Sequence, residues 1–380
     1  ANNAFHNLII HHLGDTRTVG IDNGSKLIVD NDLTITRGIL QMNTNHELDV
    51  GQDIVIDDAS DVAELRMGNV STASTHPLTA RSITIGSDGT YYATSGTTTV
   101  FNTAGSSYAF NNAGTYTPNS GTLQIGNGTT PSGGASHIKS NNYHHLIINT
   151  GVSAPNGNIP WRPNSGTEVT IAGDLTVTKG RFYRNNSSNS LVVTGDVDIE
   201  ANGQVGTSAA SGANTCGSLS VASGGKYLAT SGTTTITKAN GGTDGRAFFI
   251  HGSATFTHNN GLVKFTASSP QVAPTSTGQT STSHPFYDLE QTTGTMQWKA
   301  EHHKVLNNCT MQGSAFNGST GNVHVLGICR LTGETFNSGD TATNDNNFFQ
   351  TLVIESGATL DLSAINITVG SLRNLGGTIQ

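Results

Sequence analysis

Charged side chains are scarce in this chain of 380 residues. Asp, Glu, Lys and Arg together make up 12% of it, about half the usual share for a globular protein. Only 18 residues are basic, they form no run, and the formal net charge is −8. Because phosphate binding needs clustered Lys and Arg, this composition argues against nucleic acid as a partner.

Long apolar runs and paired cysteines are lacking as well. No stretch has the roughly 20 consecutive apolar residues of a membrane-spanning helix, so we expect no insertion into a bilayer. The three cysteines, Cys216, Cys309 and Cys329, are odd in number and far apart in the chain. Their spacing predicts neither a disulfide framework nor a CxxC metal pair.

Helix-forming residue mixtures are rare, and what fills the chain instead is Gly, Thr, Ser, Asn and β-branched residues. Glycine alone accounts for 46 positions. Apolar residues alternate over short stretches, as in Leu33 with Ile35 and Val197 with Ile199, which places their side chains on one face of a strand. The pattern predicts an all-β protein of short strands separated by turns.

The sequence repeats itself in long blocks, a sign of duplicated architecture. Residues 5–10 (FHNLII) recur as 143–148 (YHHLII), an offset of 138 (143 − 5). Residues 83–100 (ITIGSDGTYYATSGTTTV) align without gaps with 219–236 (LSVASGGKYLATSGTTTI), an offset of 136 (219 − 83). The order of the matches predicts three solenoid blocks, namely 1–140, 141–283 and 284–380, of which the third is incomplete or a cap.

Two architectures fit blocks of this kind. Three tandem β-sandwich-like domains suit the block length, but aromatic residues are only 6% of the chain and Asn-Gly hairpin turns are sparse. A parallel β-helix, which we take to be right-handed, suits the short strands better. At roughly 20–25 residues per coil it would have about 16–18 coils, with 61–77 as an inserted loop.

Three runs of the sequence resemble segments of known proteins, namely GDLTVTKGRF (173–182), SLVVTGDVDIEANGQV (190–205) and SLSVASGGKYLATSGTTTI (218–236). They resemble the Gly/Thr/Asn-rich β-solenoid segments of bacteriophage tail and head fibre proteins, especially those of marine phages, and the stalks of secreted bacterial adhesins. The resemblance implies a stiff protein of the virion surface or the cell exterior that serves attachment. It implies no particular binding residues.

The densest group of carboxylates lies in the first block, with Arg66 beside it. Carboxylates that converge hold cations or act as acid and base on sugars, so this group is a candidate cation or sugar site. The alternative is a solvated edge that keeps the protein soluble, and the same alternative applies to Asp196 and Asp198. The members of the group are Asp53, Asp57, Asp58, Asp61 and Glu64.

Two tryptophan–cation pairs are candidates for glycan contact. Trp161-Arg162 and Trp298-Lys299 lie at roughly matching positions of the second and third blocks. An exposed indole beside a basic group stacks on a sugar ring. The alternative is a tryptophan that caps a coil or covers a loop.

The fourteen histidines include three adjacent pairs, at residues 11–12, 144–145 and 302–303. Adjacent residues on a strand point to opposite faces, so we expect no metal site from them. The sequence also has no nucleotide-binding glycine motif, and we expect no cofactor.

These observations predict a non-enzymatic structural or attachment rod, most simply a phage virion fibre or virion-surface component. A bacterial extracellular adhesin or filament subunit is the first alternative, and a glycan-binding or glycan-degrading β-helix is the second. We expect an extracellular or virion-surface location. The expected partners are further copies of the chain, joined end to end or laterally, other virion or surface proteins, and a host-surface glycan.

Overall fold

The computed structural model describes residues 4–12, 17–21, 26–57, 62–69, 71–101, 108–128, 137–140, 142–153, 158–161, 167–273, 285–298, 302–312, 316–318, 322–333, 335–336, 347–362 and 367–380. These residues form strands, bridges and turns, and no helix among them is long and apolar enough to cross a membrane. The chain divides into two units, one of residues 1–186 with 202–204 and one of residues 187–201 with 205–380.

The first unit contains strands β1 to β22. They are β1 (Ala4–Phe5), β2 (Leu8–His11), β3 (Thr18–Ile21), β4 (Leu27–Val29), β5 (Leu33–Met42), β6 (Leu48–Val50), β7 (Asp53–Ile56), β8 (Ala63–Asn69), β9 (Thr72–Ala73), β10 (Leu78–Ala80), β11 (Ser82–Ile85), β12 (Gly89–Tyr92), β13 (Thr97–Val100), β14 (Tyr108–Asn112), β15 (Thr115–Thr117), β16 (Thr122–Ile125), β17 (His137–Lys139), β18 (Asn142–Tyr143), β19 (His145–Asn149), β20 (Asn158–Trp161), β21 (Glu168–Ile171) and β22 (Leu175–Arg184).

The second unit contains the strands from β23 onwards, β24 having three residues in the first unit. They are β23 (Ser190–Val193), β24 (Val197–Val205), β25 (Asn214–Cys216), β26 (Leu219–Val221), β27 (Lys226–Leu228), β28 (Thr233–Ile236), β29 (Phe248–Ile250), β30 (Thr255–Thr257), β31 (Leu262–Phe265), β32 (Gln271–Ala273), β33 (Asp288–Gln291), β34 (Met296–Trp298), β35 (His302–Val305), β36 (Cys309–Met311), β37 (Phe316–Gly318), β38 (Asn322–Leu331), β39 (Thr335–Phe336), β40 (Asn347–Glu355), β41 (Thr359–Leu360), β42 (Ile367–Leu375) and β43 (Thr378–Ile379).

Parallel pairing between strands of successive coils makes the fold a β-solenoid of about 13 turns. The expected β-helix is therefore confirmed over tandem sandwiches. Our expected number of coils is too high because the coils are longer than assumed. Ile54 pairs with Ile83, an offset of 29 (83 − 54), and Ile83 pairs with Phe110, an offset of 27 (110 − 83). Segment 61–77 is not a plain loop either, since it contains β8 and the short antiparallel strand β9.

In the first unit, three parallel ladders surround the core. One runs through β1, β4, β6, β10, β13, β16, β19 and β22. A second runs through β2, β5, β7, β11, β14, β17, β20 and the end of β22. The third runs through β3, β5, β8, β12 and β15.

In the second unit, one long ladder runs through β23, β25, β28, β31, β33, β36, β38, β40 and β42. A second runs through β24, β26, β29, β32, β34 and β37. Shorter ladders join β27 to β30, and β39 through β41 to β43. Each unit thus buries alternate side chains of every ladder in one continuous core.

The long strands β5 and β22 each turn a corner at a glycine. Gly38 and Gly180 have φ of 95° and 101°, a region that side chains bearing a Cβ rarely adopt. Before its glycine, β5 pairs with β7, and after it with β8. One strand therefore serves two ladders because a glycine stands at the bend.

Candidate functional site

The segment repeated as ATSGTTT performs the same structural task in both units. The buried Tyr91 hydroxyl lies 2.9 Å from Thr98 Oγ1, and the buried Tyr227 hydroxyl lies 3.4 Å from Thr234 Oγ1. The Asn214 amide also donates to the Tyr227 hydroxyl, at 2.9 Å. In each copy, therefore, a buried tyrosine ties two strands of one coil together inside the core.

A turn one coil further along the chain also has the same structure in both units. Asn119 and Asn259 both adopt left-handed backbone, with φ of 48° and 47°. Their side-chain amides donate to the carbonyl oxygens of Ala93 at 2.7 Å and Ala229 at 2.6 Å. Asparagine tolerates this conformation and here also satisfies a backbone acceptor of the preceding coil.

Both tryptophans lie inside the solenoid. Trp161 is 0% and Trp298 is 1% exposed, and the Trp161 indole donates to the Ser140 carbonyl at 2.6 Å. Each lies in the same kind of inward column, two coils beyond Phe110 and Phe248 respectively. The register continues to Arg184 after Trp161 and to Gly318 after Trp298. Stacking on a sugar needs an exposed ring face, so the structure places these rings as core residues instead of contact residues. Arg162 and Lys299 lie outside the described residues.

Of the predicted acidic group, Asp53 and Glu64 are not brought together. The Arg81 guanidinium, one coil away, donates through Nε to Asp53 Oδ1 at 2.9 Å, whereas Glu64 pairs with Arg66 on a different ladder. Asp57 is exposed just after β7, and Asp58 and Asp61 lie outside the described residues. Asp53 and Glu64 are thus in separate ion pairs, each at a partly exposed strand position.

A different cluster of polar residues lies on the outer face of the second unit. In register, Asp198 pairs with Ser220, and Ser220 with Phe249, so these three outward side chains form one column. The inward neighbours Val197, Leu219 and Phe248 are buried in the core. Yet Ser220 and Phe249 are themselves only 3% and 7% exposed, although they point outward. Another segment of the chain must therefore lie over this part of the sheet.

The cover is the loop of residues 237–246, which joins β28 to β29 and folds back over the column. Asp198 Oδ1 accepts from the Thr243 backbone N–H and from its hydroxyl, both at 3.0 Å. Ser220 Oγ donates to Asp244 Oδ2 at 2.8 Å. The Arg246 guanidinium lies over the Phe249 ring, 4.9 Å from its centroid. Side chains of three successive coils therefore hold the loop in place.

Asp196 fixes the start of this loop. Lys238 Nζ donates to its Oδ1 at 2.7 Å, and the Gly242 N–H donates to its Oδ2 at 3.0 Å. Burial works to raise the pKa of the Asp196 carboxyl, but these hydrogen bonds and the Lys238 charge outweigh it and hold that pKa below its ordinary value. Asp196 is therefore ionised at neutral pH and serves as an anchor.

Between the loop and the sheet lies a cleft of about 290 Å³. Three carboxylates, two hydroxyl-bearing serines, an imidazole and an aromatic ring line it. His251 Nδ1 accepts from the Ser253 N–H at 3.2 Å, which leaves Nε2 as the ring's donor in the neutral form. The lining residues are Asp198, Ile199, Glu200, Ser220, Ala222, Ser223, Thr243, Asp244, Phe249 and His251.

Sequence reasoning missed this cleft because its parts are far apart in the chain, at an offset of up to 53 (251 − 198). Asp198 does lie on the outward face of a strand, β24. An alignment of the first two blocks could have pointed to the cleft. Where the second block has Asp198, Phe249 and His251, the first has Val55, Asn111 and Ala113. The outward positions that change between copies mark the cleft.

The histidine pairs behave as local hydrogen-bonding and packing groups. His11 Nδ1 lies 2.9 Å from Thr36 Oγ1, and the Asp174 N–H donates to His145 Nδ1 at 2.9 Å. His303 packs on the buried Trp298 ring, with centroids 4.0 Å apart. Within the part of the chain that the structure describes, no three His, Cys, Asp or Glu side chains are placed to hold a metal ion.

The cysteines are closer than their sequence spacing suggested. Cys309 is buried, and its direct partner on the neighbouring strand is Cys329. All three cysteines are free thiols, and Cys216 pairs with Ile236 instead. The spacing in the sequence did not predict that two of the three lie side by side.

No family model, no curated protein and no solved structure matches this chain.

Proposed function

We propose that this protein is a non-enzymatic structural and attachment component, most simply a fibre or surface protein of a phage virion. One observation supports the proposal above the others: the segments that recur in the sequence carry core and turn residues with the same hydrogen bonds in both units. A duplicated solenoid adds length without new folding information. The runs resemble both phage fibre segments and the stalks of bacterial adhesins, so a bacterial adhesin or filament subunit is the alternative.

Localisation tests this proposal. Gold-labelled antibodies against the chain are applied to the particles and to the intact cells of the source culture and viewed by electron microscopy. We expect label on virions, at the same sites on each particle. Label on the cell envelope alone would favour a bacterial adhesin or filament subunit. Antigen found only inside cells would contradict both the virion and the adhesin hypotheses.

Self-association is part of this proposal, and the last long strand supports it. Within the described residues, β42 pairs with β40 on one side and has no strand on the other. It exposes Leu372 and Leu375, by 50% and 56%. An open strand edge with apolar side chains is a template for another chain, so we propose that a second copy pairs here.

Light scattering coupled to size exclusion tests it with the whole chain. We expect the mass to rise with protein concentration, and the double variant Leu372→Lys/Leu375→Lys to remain monomeric. Leu326→Lys is the matched control, because Leu326 is 42% exposed on β38, where both neighbouring strands are present. A wild-type monomer at every concentration, or an equal effect of the control, would refute the pairing.

A second candidate function, glycan binding, is favoured by the cleft beneath residues 237–246. Its carboxylates are acceptors for sugar hydroxyls, and carboxylates, hydroxyls and an imidazole converge on one concave site, a combination typical of small-ligand sites. The two carboxylates at its open edge, Glu200 and Asp244, are exposed. We propose binding without cleavage.

A glycan array, followed by calorimetry with the best-bound oligosaccharide, tests this. We expect Glu200→Gln to weaken binding by roughly tenfold, the effect of one lost charged hydrogen bond. Asp57→Asn is the matched control, since Asp57 holds the same place after β7 that Glu200 holds on β24. Release of reducing ends would show an enzyme instead, and equal losses in both variants would exclude the cleft.

A further inference from the structure

Two thiols are stacked in the core of the second unit. Cys309 on β36 and Cys329 on β38 are direct partners in the parallel ladder. Their offset of 20 in the chain (329 − 309) is one coil of the solenoid. Both are 0% exposed and both are free.

The partners that flank them in their column are apolar. Leu289 pairs with Cys309 on one side, and Leu352 pairs with Cys329 on the other. The aligned positions of the first two blocks are Leu33 and Leu175. A hydrophobic side chain is therefore sufficient for packing here, and two successive cysteines bring a chemistry that packing does not need.

The geometry is close to that of a disulfide. Adjacent strands lie about 4.8 Å apart, inside the range of about 4.4–6.8 Å over which disulfides join Cα atoms. Because paired side chains in a parallel ladder point the same way, their Cβ atoms are separated by a similar distance. Bringing them to the roughly 3.8 Å typical of disulfides requires a closure of about 1 Å, without any change of register.

We propose that Cys309 and Cys329 are a reversible oxidation site, joined as an intercoil disulfide by exchange with a small disulfide such as oxidised glutathione. A Cys thiolate attacks the oxidant and releases one reduced thiol. The second Cys thiolate then attacks the mixed disulfide and releases the other. The pair loses two protons and two electrons, and the oxidant gains both as two thiols.

The surroundings set how this exchange proceeds. The hydrogen bond with the Cys329 thiol, together with burial, holds the pKa of Cys309 well above its ordinary value. Because the thiolate is the attacking species, exchange in the closed core is slow. The bond therefore forms during folding or local opening, and it then crosslinks two coils and restrains the unfolded chain. This inference does not depend on the proposed function.

Refolding in glutathione buffers tests it. The whole chain is refolded at several ratios of oxidised to reduced glutathione, remaining thiols are blocked with N-ethylmaleimide in denaturant, and peptides are mapped by mass spectrometry. We expect a linked pair of peptides containing Cys309 and Cys329, lighter by two hydrogens, whose share rises with the oxidised fraction. Cys216, a buried thiol paired with Ile236, is the internal control and should stay fully alkylated.

A stability measurement separates this from chance pairing. The urea midpoint of the second unit should be higher in oxidised than in reduced wild-type protein, and equal under both conditions in Cys329→Val, which keeps the column packed. Full alkylation of Cys309 and Cys329 at every ratio would overturn the proposal. So would links spread evenly over all three cysteines.

Discussion

The first and second copies of the repeat have the same interior and different exteriors. Inward, the column of Ile54, Ile83 and Phe110 in one unit corresponds to Val197, Leu219 and Phe248 in the other. Outward, the neighbouring columns differ. The first unit has Val55, Thr84 and Asn111, and the second has Asp198, Ser220 and Phe249.

The difference shows where this fold has freedom to acquire function. An inward side chain stacks on its counterparts in the coils before and after, so a change of volume disturbs all three. An outward side chain meets solvent, and it can be exchanged without disturbing the ladder. In the second unit such exchanges, together with a loop that Asp196 and Asp198 hold down, produce a cleft.

The largest test of this comparison removes a matched core ring. Phe110→Ala and Phe248→Ala should each lower the free energy of unfolding of their own unit by about 3–5 kcal/mol, because both rings are fully buried. The two tryptophans allow the units to be observed separately by fluorescence during urea unfolding. Trp298→Phe leaves Trp161 as reporter of the first unit, and Trp161→Phe leaves Trp298 for the second.

Each single-tryptophan variant also supplies the control, because it reports on the unit that carries the remaining tryptophan. Phe110→Ala should shift the Trp161 transition, and Phe248→Ala the Trp298 transition, in preference to the other. Losses below about 1 kcal/mol at either position would mean that the two columns are not equivalent parts of a core.

A smaller effect should distinguish the buried tyrosines. In Tyr227→Phe, the Asn214 amide loses its acceptor inside the core, which should cost about 1–3 kcal/mol. Tyr91→Phe affects only the rotatable Thr98 hydroxyl and should cost about 1 kcal/mol or less. Urea midpoints in the same tryptophan backgrounds measure both. The reverse order would contradict the hydrogen bonding described here.

The matched turns should respond alike. Asn119→Ala and Asn259→Ala place an ordinary side chain at positive φ and remove a hydrogen bond to the coil before, at a cost of about 1–2 kcal/mol each. Asn→Gly at the same sites relieves the backbone but not the lost bond, and so should recover part of the loss. Thermal unfolding checks the ranking. An Asn→Ala variant as stable as the wild type would contradict the stabilising role of this side chain in the turn.

The smallest effect concerns pH. Burial acts to raise the pKa of Asp196, but hydrogen bonds and the Lys238 charge lower it overall. A pKa lower in the folded than in the unfolded state stabilises the fold above about pH 4, and that stabilisation is lost as the pH falls through the folded value. Since Lys238 is 42% exposed, we expect less than about 1 kcal/mol.

Asp53, whose pKa is also lowered against the effect of burial by its bonds to Arg81 and Ser82, offers the comparison. The difference in urea midpoint between wild type and Asp196→Asn should shrink between pH 6 and pH 3, and Asp53→Asn should behave the same way. A difference that grows on acidification would reverse the assigned direction.

Sequence patterns predicted the interior better than the surface. Alternation identified Leu33, Ile35, Val197 and Ile199 as inward residues, and all four are buried. The same patterns also matched Trp161 with Trp298, and these do lie at corresponding places, two coils beyond Phe110 and Phe248. Whether a ring at such a position faces in or out depends on strand register, which the spacing of the pairs does not contain.

By itself, the sequence determined that the chain is all-β and built of repeated short strands, because period-two alternation and glycine turns are local properties. It favoured a solenoid over tandem sandwiches, and the parallel pairing of the coils decided between them. Tertiary structure alone decided which distant side chains meet. The offset between stacked partners differs from coil to coil, being shorter from Cys309 to Cys329 than from Ile54 to Ile83, so these partners do not follow from counting along the chain. For that reason the cleft under residues 237–246 and the Cys309–Cys329 pair emerged only once the coils were placed in register.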